Sequence, residues 1–224
     1  MVAMLRINSY SLKQFRGLLS GSLCLLLTAG AIGGCSSAIS AQNPAETQEP
    51  GALPAILAAG NAQWQQSAEA AGSNYFYWRV RPAGMQPIHT VTGVQVQSGR
   101  VTARYVVRSR RDNSGKLVVV ETLREPSPRA IRTRPGYTAH TVPQLIRECS
   151  LLLGVSGRRA RVSTETAHFG LAFDERGVLD VCYRVPRGCM DDCSTSYGVG
   201  GLVFRVLSAA EIDSFLKTGR GPTE

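Results

Sequence analysis

The stretch YFYWRVRPAGMQPIHTVTGVQVQSGRVTARYVVR, residues 75–108, decides the fold. Tyr75–Arg81 alternates large apolar side chains with others, and Ile88–Gln97 and Val101–Arg108 continue the two-residue period of a strand. Ser98-Gly99 between the last two is a turn signal. Three sequential strands with short connections predict an antiparallel meander. Lys116–Leu123 (KLVVVETL) is expected as a fourth strand, followed by a Pro- and Arg-rich loop through about residue 137.

On either side of this sheet the spacing changes to that of helices. In 54–70, Pro54 suits a first turn, and Ile56, Leu57, Gly60 and Trp64 fall on one stripe at steps of three and four, with Trp64 as a core anchor. A central helix is expected over His140–Leu153: Thr141 can cap it, Pro143 lies in its first turn, and Val142, Leu145, Ile146, Cys149 and Leu152 form its apolar face. Ala160–Asp174 and Val178–Val185 flank Asp174-Glu-Arg-Gly177, a hairpin signal. Leu202–Val206 is expected as a last strand and Ser208–Leu216 as a short C-terminal helix. The fold class is α+β: an antiparallel meander packed by an N-terminal and a central helix in a single domain, residues 56–217, with an Arg-rich insertion at 108–136 and a tail at 218–224.

This order of parts resembles a family of bacterial exported proteins and lipoproteins of unknown function. The features that carry it are a Trp-bearing helix, Tyr75 and Tyr77 as Y-x-Y, Val94 and Val96 before the Ser-Gly turn, Thr141, Val142, Leu145 and Ile146 as T-V-x-x-L-I, and Phe173, Asp174, Gly177 and Leu179 as F-D-x-x-G-x-L. The resemblance spans roughly residues 57–206 and implies a small α+β domain with no established activity. The cysteines and the Arg-rich 108–136 segment depart from that pattern.

Ahead of the domain, residues 1–17 carry Arg6, Lys13 and Arg16 and no acid, and residues 18–32 are almost wholly apolar. This is the layout of an export signal, and the apolar run is short of the roughly 20 residues that span a bilayer. Ile32-Gly33-Gly34-Cys35 resembles a lipobox, in which the sulfur of Cys35 receives diacylglycerol and Cys35 becomes the first mature residue. The competing expectation is cleavage after Ala41, which discards Cys35. With lipidation, 1–34 is the signal peptide, 35–55 a polar Pro- and Ala-rich tether, and the chain is held on the membrane by acyl groups such as palmitate, each buried CH₂ contributing about 0.8 kcal/mol. Ser36 carries no inner-membrane retention signal, so the expected place in a cell with two membranes is the outer membrane, facing the periplasm.

The full chain is +9, and removing the three basic residues of the signal leaves 22 Lys and Arg against 16 Asp and Glu, or +6. Such a surface suits an anionic polymer or an envelope protein as partner. Neither aromatic interleaving nor a nucleic-acid module accompanies the arginine clusters, so no specific nucleic-acid partner is expected. Four cysteines remain beyond the signal and Cys35: Cys149, Cys182, Cys189 and Cys193. In an exported chain they predict two disulfides with three connectivities open. Cys189 with Cys193 closes a small loop and leaves Cys149 for Cys182, although strand parity sets Cys182 on the opposite side from Leu179. Paired zinc-ribbon spacing is lacking, and neither a metal nor a cofactor is expected.

The catalytic motifs looked for do not emerge. Gly154-Val-Ser-Gly157 lacks the second glycine two places after its serine that a nucleophile elbow needs. His89, His140 and His168 are isolated from one another in sequence, and Asp191-Asp192 reads as a solvated loop. Gly198–Gly201 (GVGG) precedes a strand, the wrong order for a phosphate site at a helix terminus. The expectation is a membrane-anchored envelope lipoprotein with a non-catalytic binding or structural domain. The alternative is an exported hydrolase whose residues converge only in three dimensions.

Overall fold

Residues 75–108 form the strands read from them, β1 (Tyr75–Arg81), β2 (Ile88–Gln97) and β3 (Arg100–Arg111), and the chain turns back once more as β4 (Leu117–Pro126). The computed structural model describes residues 49–81, 87–126, 135–155, 167–188 and 195–223. The β2–β3 turn holds both Ser98 (φ 47°) and Gly99 (φ 71°) in the left-handed region, the backbone that matches the twist of a two-residue hairpin. Asn74 Oδ1 accepts from the Ser98 N–H at 3.0 Å, and the Ser73 carbonyl accepts from the Gly99 N–H at 3.0 Å, which fixes the turn to the end of the first helix.

That helix, α1 (Leu53–Ala70), buries Leu53, Leu57, Gly60, Trp64 and Ala68. The central helix α2 (Val142–Leu152) is preceded by Thr141 in a reciprocal capping box with Gln144. Two antiparallel sheets complete the α+β domain instead of one meander. In the first the strand order is β4-β3-β2-β1-β8, with β8 (Gly201–Val203) added beside β1; in the second it is β5-β6-β7, from Ala167–Phe173, Leu179–Pro186 and Thr195–Tyr197.

Residue parity divides the five-stranded sheet. Tyr75, Tyr77, Val94 and Val96 face α1, α2 and the second sheet in one core, whereas Phe76, Val91, Ala103, Tyr105 and Val107 pack with Ile212 and Phe215 of α3 (Ala209–Thr218) in another. Helix α3 begins at a second capping box, Ser208 with Glu211, and ends at Gly219 with φ 65°.

Four expectations are corrected. The last strand covers three residues rather than Leu202–Val206, because Phe204 turns to stack on Trp64 (ring centroids 5.8 Å apart) and Arg205 pairs with Glu211 at 2.6 Å, leading the chain into α3. β7 was not foreseen; three residues are too few to show a period. Much of the 108–136 segment is sheet, not insertion: β3 runs to Arg111, Asp112–Lys116 is a tight turn held by Asp112, and β4 runs to Pro126. Residues 127–134 of that segment, and the 160–166 start of the expected fifth strand, lie outside the described residues.

The fourth correction concerns the parity of Cys182. Opposite Ala172-Phe173 the ladder skips Asp180, pairing Ala172 with Val181 and Phe173 with Leu179. A bulge restores the phase, so that Leu179 and Cys182 are both buried although three residues apart. Cys182 therefore reaches Cys149 of α2, and the two form a disulfide with Cα atoms 6.0 Å apart.

Candidate functional site

The tyrosines of β1 and the N-terminus of α2 build the scaffold. The Tyr75 hydroxyl accepts from the Val142 N–H at 3.0 Å, and the Tyr77 hydroxyl donates to the His140 carbonyl at 2.6 Å. Pro143 has no N–H, the Gln144 N–H goes to Thr141 Oγ1 and the Leu145 N–H to the Thr141 carbonyl. The first-turn donors of α2 are thus occupied, and this helix N-terminus is not an anion site. Burial raises the pKa of Tyr75 to about 12 and raises that of Tyr77 further, so both stay neutral.

The F-D-x-x-G-x-L residues do comparable structural work. Phe173 lies where a Gly60 Cβ would stand, 2.5 Å from its ring atoms, and Gly177 (φ 75°) meets the α1 backbone at Trp64 and Gly60, leaving no room for a side chain. Asp174 accepts from the N–H groups of Arg176 (3.0 Å) and Val178 (2.8 Å), closing the turn.

Beyond Tyr75 and Tyr77, the next residue of the same parity on β1 is Arg79. It is 3 % exposed. Its neighbour across β2 is Thr92, and one ladder row along the inner face stands a second buried arginine, Arg104 of β3, opposite Glu125 of β4. Arg104 is 4 % exposed and fully engaged: Nη1 donates to Glu125 at 2.6 Å, Nε to the Tyr137 carbonyl at 2.8 Å, and Nη2 to the Pro135 carbonyl. Gly136 (φ 88°) sits against Thr92 and Arg104 where no Cβ fits, and the Tyr137 N–H donates to Thr92 Oγ1 at 2.9 Å. Arg104 thereby straps residues 135–137 to the sheet.

The strap delivers the Tyr137 ring to Arg79. The Arg79 guanidinium carbon lies 3.7 Å from the Tyr137 ring centroid and 5.6 Å from that of Tyr197, while Arg81 stands 5.0 Å from the Tyr137 ring. Arg79 Nε donates to the Gly198 carbonyl at 2.9 Å and Nη2 to the Ser196 carbonyl at 3.3 Å. Among the described residues Nη1 makes no hydrogen bond and no carboxylate pairs with Arg79. Arg79 lines an open cavity of about 290 Å³ between β1, β6 and the Ser196–Gly200 segment, with Tyr137, Asp180, Val181 and Tyr197 among its other walls. Burial pulls the Arg79 pKa down, opposed by Tyr77, Tyr137 and Tyr197, and raises that of Tyr197. An arginine remains charged under such a shift.

Cys182, disulfide-bonded to Cys149 of α2, is another wall of this cavity. The remaining sequence candidates distribute as follows. His89 is on β2 and His168 on β5, in different sheets; His140 precedes α2, and its imidazole pKa is lowered chiefly by burial. Among the described residues no hydrogen bond joins a histidine ring to a serine, threonine or cysteine side chain, and no group of three or more His, Cys, Asp or Glu is placed to hold a metal. Gly198–Gly201, set aside as a phosphate loop, lines the cavity through Gly198 and Gly200. Arg108, the first arginine of the Arg-rich 108–136 segment, is paired with Glu121. Cys35, Cys189, Cys193, Asp191, Asp192 and Ser156 lie outside the described residues.

Sequence reasoning missed Arg79, Tyr137 and Tyr197. The signal for Arg79 was present: a charged residue at the inward parity of a strand whose previous inward positions are Tyr75 and Tyr77. Fold and cavity define a small α+β domain with a buried cation at a solvent-reachable recess. No protein-family model matches the chain, and neither a curated protein nor a solved structure matches it.

Proposed function

We propose that this chain is a lipid-anchored bacterial envelope lipoprotein whose exported domain is a non-catalytic binding module, its recess around Arg79 receiving a partner group. One observation carries the binding reading: Arg79 is held almost out of water, stacked on Tyr137 and tethered to two carbonyls, without a carboxylate among the described residues. Burying a cation costs several kcal/mol unless a counter-charge joins it, so an incoming anionic group would regain what folding gave up.

The address rests on the sequence: basic residues 6–16, the apolar 18–32 run and Cys35 behind two glycines. Among the described residues no helix is long and apolar enough to cross a membrane, so in this reading the attachment is the lipid on Cys35. Globomycin, which blocks the lipoprotein peptidase, should make the precursor accumulate, and Cys35→Ala should move the domain from the membrane to the soluble fraction. Unchanged processing and unchanged fractionation would overturn the address.

A further inference from the structure

We propose that the recess at Arg79 is a binding site for a singly charged carboxylate group, received end-on by the outer fork of the Arg79 guanidinium. This rests on the binding-module reading and names the chemistry its site would take. A guanidinium carries five N–H donors in one plane. Here Nε and one Nη2 proton are spent on the Gly198 and Ser196 carbonyls, along one edge. The other edge, Nη1 with the second Nη2 proton, has no acceptor among the described residues, although Arg79 is 97 % buried and forms a wall of the cavity. Two parallel N–H donors on such an edge match the two oxygens of a carboxylate.

The rest of the cavity narrows the class. Tyr137 covers one face of the guanidinium and its own backbone is fixed by Arg104 and Thr92, so the fork is held in place before a ligand arrives. Preorganisation of this kind lowers the ordering cost of binding. Arg81 adds a second positive charge beside the Tyr137 ring. Asp180 is also a wall of the cavity, and it disfavours a dianion such as phosphate more than a monoanion. Tyr137 and Tyr197, whose rings flank Arg79, offer apolar surface to the remainder of the ligand.

The test uses the mature full-length protein in detergent, titrated calorimetrically with propionate and, separately, with inorganic phosphate at neutral pH. Saturable propionate binding at one site, with phosphate at least tenfold weaker, is expected. Arg79→Met should weaken propionate at least tenfold, and Arg79→Lys, which keeps the charge and loses the planar fork, should weaken it severalfold. Should Arg79→Met fail to fold, Arg81→Glu, two residues along the same strand face and beside the Tyr137 ring, leaves the Arg79 guanidinium intact and should weaken propionate severalfold by repulsion. No saturable propionate binding, phosphate binding as tight as propionate, or propionate affinity indifferent to both Arg79→Lys and Arg81→Glu would each overturn the site. Membrane fractionation of Cys35→Ala is read without any ligand. A chain that is anchored but does not bind propionate refutes this inference alone, and one that binds but is not anchored refutes the address alone.

Discussion

Arg79 and Arg104 stand on the same face of one sheet, both almost wholly buried, and differ in what answers their charge. Arg104 meets Glu125 and two carbonyls from residues 135–137, a set that neutralises its charge and occupies all three of its nitrogens. Arg79 meets two carbonyls and two aromatic rings, with no carboxylate among the described residues. Burial alone therefore does not separate a structural arginine from one available to a ligand. The presence or absence of a counter-charge, and of an open edge on the guanidinium, does.

The comparison can be broken most forcefully at the structural arginine. Glu125→Gln leaves Arg104 buried without its carboxylate and should cost about 3–5 kcal/mol, read as a shift in the denaturant midpoint. A loss below about 1 kcal/mol would mean that the strap over residues 135–137 does not depend on the ion pair.

Next in size is the disulfide that joins Cys182, a wall of the cavity, to Cys149. It spans 33 residues between α2 and β6, and loop-closure entropy puts its contribution at about 3–4 kcal/mol. The Cys149→Ala, Cys182→Ala double variant should unfold at correspondingly lower denaturant, and any ligand affinity at the neighbouring recess should fall with it. Unchanged stability would remove the disulfide from the support of the site.

Arg79→Met should change stability by less than about 2 kcal/mol in either direction, since removing a buried charge that no carboxylate among the described residues answers offsets the loss of two hydrogen bonds to carbonyls. A loss as large as that of Glu125→Gln would make Arg79 a structural arginine like Arg104 and end the contrast.

The smallest effect is expected at Glu211, distant in sequence from both arginines and exposed on the α3 cap. Hydrogen bonds from the Ser208 backbone and side chain, then Arg205, bring its pKa down to about 2. Its folded pKa lies below the unfolded one, so its contribution is present above the ordinary carboxylate range and is lost as pH falls from about 4.5 towards 2. Glu211→Gln should flatten that part of the stability profile and leave the rest unchanged; an unaltered profile would show that the cap has no such linkage.

What could be read from the sequence followed local period and capping. Ile88–Gln97 was bounded correctly because alternation and the Ser98-Gly99 turn agree; α2 was placed in the right phase by Thr141, Pro143 and its apolar face, but runs Val142–Leu152 instead of His140–Leu153 because Thr141 is its cap. The phase of β6 was not legible, because a bulge at Asp180 follows from pairing with β5 rather than from β6 itself. That the expected β5–β6 hairpin belongs to a sheet of its own was missed for a similar reason: its third strand, β7, has three residues and is a strand only through its partner. The site was the least legible part. Arg79, Tyr137 and Tyr197 are far apart in sequence, and Tyr137 reaches Arg79 only because Arg104 and Thr92 hold its backbone.

The most direct test of the contrast between the two arginines is a side-chain ¹⁵N NMR titration of the arginine guanidinium groups with propionate. The Arg79 Nη resonances should shift saturably while those of Arg104 stay in place. Shifts confined to exposed arginines, or equal shifts at Arg79 and Arg104, would contradict the assignment of Arg79 as the open cation.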